Sequence, residues 1–362
     1  MGLKILHSAD WHLDSPFTGV SEEQRQQLRR EQLAIPGKIA DLCLREGCQL
    51  VLLAGDLFDG EPGREAIDTV KAALARCAVP VFISPGNHDA CRPGSPWLEE
   101  RWPENVTVFT GGLESRVVEG LNLRIWGAGF TDMDCPSLLE DFRADCAEPY
   151  TVALLHGDPA QANSPYNPIT TAQVRGSGLD YLALGHIHKA GSFRAGCTLC
   201  GWPGCPMGRG WDETGEKGVY LVALEPDSAE IRHLSLNTPR FTEATADISD
   251  GAAAALEALL PPVESRDFFR ITLKGEGRVS IEELKQAFPH IPNLELRDQT
   301  EEPLDIWGDE SQDTLEGTFF RLLREKMDAA DPQAAARIQM AAEISRRLME
   351  GREGLLPGKS IP

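Results

Sequence analysis

Five apolar runs in this chain end in polar clusters, and that recurrence restricts the fold more than any other feature. "LKILHSADWH" ends on Asp10 and His12, "CQLVLLAGD" on Asp56, "VPVFISPGNHD" on Asn87 and His88, "YTVALLHG" on His156, and "LDYLALGHIH" on His186 and His188. Between the first runs lie helical stretches, "SEEQRQQLRREQLAIPGKIADLCLREG" and "REAIDTVKAALARC". Strand-helix-strand-helix-strand order predicts a parallel sheet covered by helices. Loops beyond the carboxyl ends of such strands converge on one rim, so residues distant in sequence are expected to meet there.

Further runs, "NVTVF", "SRVVEG", "NLRIWG", "KGVYLVAL" and "AEIRHLSL", are richer in hairpins and suggest a second sheet packed face to face with the first. This pattern fills residues 1–242. From "TEATADI" to "NLELRDQ" a small α/β unit is expected over residues 243–300, read as a cap. Residues 301–362 read as an acidic linker, "TEEPLDIWGDESQD", and a tail with two helical segments. In the first of these Phe319, Leu322, Leu323 and Met327 fall at spacings that line one helical face, a form suited to a partner's groove.

Composition limits the class of protein. No apolar run approaches the roughly 18 residues a membrane span needs, so no membrane association is expected. The first residues enter a strand without a signal-peptide pattern, and a cytoplasmic location is expected. Nine cysteines fit reduced thiols better than a disulfide framework. Cys197, Cys200 and Cys205 cluster in "CTLCGWPGC", but with no evident fourth ligand they read as loop cysteines rather than a zinc knuckle. A net charge of −21 argues against holding nucleic acid unaided on a broad basic surface. Bound cations can still supply positive charge locally.

Five of the eight histidines lie in the strand-end clusters. Carboxylates, imidazoles and one amide, without thiolate, suit Mn²⁺, Fe²⁺ or Zn²⁺. Asp56, after a glycine that permits a sharp turn, is the candidate bridge between two divalent ions about 3.5–4 Å apart. His7, Asp14, His233 and His290 read as structural, and Asp89 and Asp158 as supports for metal-bound histidines.

In order, "DWH", "GD", "GNHD", "H" and "GHIH" resemble the five motifs of calcineurin-like metallophosphoesterases, over residues 1 to about 240. "LHSADWHLDSPF" and "WPGCPMGRGWDETGEKGVYLVAL" are similar to the DNA-repair exonuclease branch, the SbcD-like nucleases and YhaO-like proteins. The resemblance implies a four-layer α/β/β/α sandwich and two metal ions, most often Mn²⁺. Asp10, His12, Asp56 and His188 would bind one ion, and Asp56, Asn87, His156 and His186 the other. His88 would be the general acid that protonates the leaving oxygen, oriented by Asp59. Arg209 and Lys217 are candidate contacts to substrate phosphates.

The expected activity is metal-dependent hydrolysis of DNA, with an SMC-like AAA ATPase as partner; a homodimer is compatible with it. Two rivals remain at this stage. One keeps the site but takes a small nucleotide or cyclic nucleotide, and the other is a non-catalytic scaffold for the ATPase, against which the full ligand set speaks.

Overall fold

The computed structural model describes residues 2–351 except Cys146 and Asp227; the last part of the 301–362 tail, from residue 352, lies outside the described residues. The chain divides into two compact units, one of residues 1–243 with 266–269, the other of residues 244–265 and 270–362.

The first unit carries two six-stranded sheets. In the first, β1 (Leu3–Ser8), β2 (Leu50–Leu53), β3 (Val81–Ile83) and β4 (Val106–Val108) run parallel, and β11 (Gly218–Glu225) and β12 (Ser228–Ser235) extend it antiparallel beyond β1. The second has the parallel core β6 (Leu123–Gly127), β7 (Tyr150–His156), β8 (Tyr181–Gly185) and β10 (Thr198–Trp202), edged antiparallel by β5 (Glu114–Val118) and β9 (Gly191–Ala195). Strand β10 and its partner β9 form a hairpin that the sequence reading passed over. Cys200 therefore sits buried in a strand rather than in a loop, while Cys197 is exposed in the turn and Cys205 is buried beyond β10.

Alternation along the strands builds the layers. Ile5, Leu50, Leu52, Val152, Leu154, Tyr181 and Ala183 point into a core shared by the two sheets. Their neighbours Leu6, Val51 and Leu53 face a second core with α1 (Glu22–Leu33), α2 (Ile35–Glu46) and α3 (Arg64–Arg76). Ala153, Leu155, Leu182 and Leu184 face a third core that includes Val174 of α5 (Thr171–Gly176), which follows the short α4 (Pro96–Glu99). Burial on both faces explains why β2, β7 and β8 read as unbroken apolar runs. The architecture is the expected α/β/β/α sandwich.

The single helical stretch expected after β1 is two helices. Ser21 opens α1 with a capping box, Ala34 separates the two helices, and Pro36 occupies the first turn of α2, where its missing N–H costs nothing.

Most residues of a three-stranded sheet, β13 (Phe241–Asp247), β14 (Phe268–Glu276) and β15 (Leu294–Glu301), belong to the second unit, with α6 (Ala252–Glu257) and α7 (Ile281–Ala287). The unit continues into the helical hairpin of α8 (Leu315–Asp328) and α9 (Pro332–Met349). Phe320 is fully buried there, with the Arg346 guanidinium 4.0 Å from its ring centre. The predicted single face of α8 is split: Leu323 and Met327 are half-buried, whereas Leu315, Phe319 and Leu322 form an exposed stripe. No helix among the described residues is long and apolar enough to cross a membrane.

Candidate metal centre

The five strand-end clusters leave the carboxyl ends of β1, β2, β3, β7 and β8, and both sheets contribute. The turns that present them use unusual backbone. Asp10, His12, Asp56 and His186 all have positive φ, between 47° and 94°, a region that non-glycine residues seldom occupy and that clusters at functional sites. Two glycines permit the close approach. A Cβ at Gly86 would collide with Asp56 and the His156 ring, and one at Gly185 with the Ala54 carbonyl. Gln32, buried on α1, holds the first loop by donating to the His12 carbonyl at 2.7 Å.

Asp56 lies at the centre. Its Oδ2 is 3.8 Å from His12 Nε2 and 3.4 Å from His156 Nε2. His12 Nε2 is 3.1 Å from His188 Nε2, and Asn87 Oδ1 is 3.1 Å from His156 Nε2. Single donor atoms of Asp10, His12 and His188 lie within 4.8 Å of one another, as do those of Asp10, Asp56 and His156. His186 stands at the side of this cluster, its ring centre 5.2 Å from that of His156 and its backbone N–H donating to Asp10 Oδ1 at 2.9 Å.

The donors fit divalent metal. Asp10 Oδ2 is buried without a hydrogen-bond partner in the structure, a costly state for a carboxylate oxygen unless a cation satisfies it. Two imidazole Nε2 atoms facing each other at 3.1 Å suit lone pairs aimed at a shared ion. His156 Nδ1 donates to the Ala54 carbonyl at 2.8 Å, which directs its Nε2 toward Asp56 and Asn87.

Charge follows the same layout. Burial opposes charge on His156, but the Asp56 carboxylate holds its pKa up at about 9. Burial and the neighbouring His156 pull His186 down to about 4, and burial lowers His12. Burial works against ionising Asp56, yet His156 and His12 keep its pKa below the usual carboxylate range.

His88 stands at the surface edge, its side chain 44% exposed, with Nδ1 2.8 Å from Asp59 Oδ1. That bond raises the His88 pKa, and the imidazoles of His12 and His88 hold Asp59 well below the usual range. A cavity of 740 Å³ opens beside the pair, lined by Asn87, Arg92 and Ser95 among others.

Arg209 is not free to solvent but pairs with Glu213, Nη2 to Oε1 at 2.7 Å, and its charge is felt at His12, His88 and Asp59. Lys217 is buried, 3.4 Å from the His188 carbonyl. Asp89 is held by backbone donors, with the charge of His156 acting on it as well. It accepts from the backbone N–H groups of Asp56, Leu57, Phe58 and Gly86 and so ties the β2 and β3 loops together. Burial and the Asp56 charge push its carboxyl up to about 7 against those donors. Asp158 likewise accepts from the Ala160 and Gln161 backbone. His7 is a core residue, 2.8 Å from the Tyr181 hydroxyl. The sequence reading missed Glu213, which is buried with Oε1 2.6 Å from His188 Nδ1. Its only signal was an acidic residue in the glycine-rich stretch after β10.

Residues 3–190 match the family model for calcineurin-like phosphoesterases. The chain is 32% identical over 295 residues to an uncharacterized metallophosphoesterase, YhaO, of Bacillus subtilis (strain 168), covering 75% of this chain and 69% of that protein. Among solved structures it is similar to a dimetal phosphatase from Danio rerio, at 13% identity and TM-score 0.41, over 64% of this chain and 99% of that one. A novel archaeal phosphodiesterase matches at 14% identity and TM-score 0.34, over 64% and 100%.

Proposed function

Because the chain belongs to the calcineurin-like phosphoesterase family, we propose that it is a two-metal phosphodiesterase of the nuclease type, acting on DNA. The observation that carries this reading is Asp56 Oδ2 lying between His12 Nε2 and His156 Nε2, with the His88–Asp59 pair at the exposed edge. In the assignment we adopt, Asp10, His12 and His188 would hold one divalent ion and Asn87, His156 and His186 the other, with Asp56 as a ligand available to both. Bound divalent ions, Mn²⁺ in our reading, supply Lewis-acid activation of water and neutralise charge developing at phosphorus.

The rest is the work of side chains. An alkoxide is a poor leaving group from a phosphodiester, and His88, kept protonated by Asp59, provides the proton it needs. Arg209, beside His12, His88 and Asp59, is placed to hold a non-bridging phosphate oxygen. The surface position of His88 supports access by an extended strand. A net charge of −21 argues against a broad basic surface, and we assign that part to an SMC-like ATPase docked on the exposed stripe of α8.

One observation favours a second reading. The 740 Å³ cavity beside His88 has the size of a small-molecule site, which suits a nucleotide or cyclic nucleotide. Purified protein with Mn²⁺ should be assayed on linear duplex DNA, single-stranded DNA, a cyclic nucleotide and bis-p-nitrophenyl phosphate. Cleavage of DNA with little turnover of the cyclic nucleotide is expected; efficient cyclic-nucleotide hydrolysis without DNA cleavage would transfer the assignment to the second reading.

A further inference from the structure

His188 Nδ1 has two neighbours that make opposite demands on its ring. Glu213 Oε1, 2.6 Å away, can only accept a proton once ionised, whereas Arg209 Nη2, 3.1 Å away, can only donate. The partner that wins decides which nitrogen carries the proton, and with it whether Nε2 faces Asp10 and His12 as a lone pair or as an N–H. Only the lone pair can bind a metal.

We propose that Glu213 is a positioning residue for the metal centre, which fixes the metal-binding tautomer of His188 by keeping Arg209 from donating to its Nδ1. The proposal rests on the reading of this cluster as a metal site. Glu213 is built for that task. It is 5% exposed, and its two oxygens also take the Arg209 backbone N–H at 2.8 Å and the guanidinium at 2.7 Å. The guanidinium is thereby occupied by the carboxylate while staying beside His12, His88 and Asp59. Removing Glu213 alone leaves His188 Nδ1 with an obligate donor as its neighbour, which turns the Nε2 proton toward the ion. Removing both Glu213 and Arg209 lifts that constraint and lets the ring choose either tautomer. The two substitutions should therefore be strongly non-additive, with the second repairing part of the damage done by the first.

The test is calorimetric titration of metal-free protein with Mn²⁺, which reads binding without reference to any substrate. Glu213→Ala is expected to weaken one of two binding events by about 10–100-fold and to leave the other within a few-fold. Glu213→Ala/Arg209→Ala is expected to recover most of that loss. If Glu213→Ala does not fold, Glu213→Gln with and without Arg209→Ala gives the same comparison, in the same direction with a smaller amplitude. Unchanged Mn²⁺ affinity in the single variant overturns the proposal. So does a double variant no better than the single, because a merely structural role for Glu213 gives no rescue. Two tight Mn²⁺ sites without phosphodiester hydrolysis would sink the proposed function and leave this inference standing.

Discussion

Asp56 and His88 come from adjacent parallel strands, yet in the proposed function their duties are separable. Asp56 is central to the whole donor set, so Asp56→Ala should lose both ions, whereas a change in any peripheral ligand should weaken mainly one. Metal analysis after gel filtration checks this, and two retained ions would refute the bridge. His88 touches the centre through its backbone N–H, which donates to Asp56 Oδ1 at 2.9 Å, and that bond survives truncation of the side chain. His88→Ala should keep both ions and slow DNA cleavage by about 10²–10⁴. A p-nitrophenyl ester, whose leaving group needs little protonation, should lose far less; equal losses on the two substrates would rule out the acid role. At this scale the residues at strand ends were legible because each sat at a change from apolar run to turn. Glu213, Asp89 and Gln32 were not, since a lone polar residue in a loop or helix carries no pattern, and its partner is settled only when the chain folds.

The strands explain why the centre is rigid enough to hold such donors. Parallel strands of both sheets deliver their loops to one rim, and Asp89 ties the β2 and β3 loops through four backbone N–H bonds. Gly86 marks a tight approach, with Asp56 and His156 where a Cβ would go. Gly86→Ala should therefore displace both side chains, costing about 1–3 kcal/mol of stability as an overpacked site and weakening Mn²⁺ binding. Thermal melts with and without Mn²⁺ check it: a smaller Mn²⁺-induced rise in Tm than in the parent is expected, and an undiminished rise would show that the loops accommodate the methyl group. The long buried strands were readable from their unbroken apolar runs. The β9–β10 hairpin was not, because half of its residues are polar, exposed or glycine.

Across the whole chain, the proposed ATPase partner is assigned to the exposed apolar stripe of α8. Leu315 is 90% exposed and Leu322 52%, while Phe320 on the opposite side of α8 is fully buried. Replacing Leu315 and Leu322 together with Ser should leave Tm within about 2 °C, since exposed positions contribute little to folding. The same change should abolish co-purification with an SMC-like ATPase; retained pairing would place the docking surface elsewhere. The two-sheet core was legible from the order of elements, whereas the split of the α8 face was not, because helical spacing alone does not say which stripe the hairpin covers. The central claim, that Asp56 bridges two divalent ions, is tested most directly by crystals grown with Mn²⁺ and measured at the manganese absorption edge. Two anomalous peaks about 3.5–4 Å apart, both within coordination distance of Asp56, are the predicted result. A single peak, or a pair of which only one contacts Asp56, would contradict it.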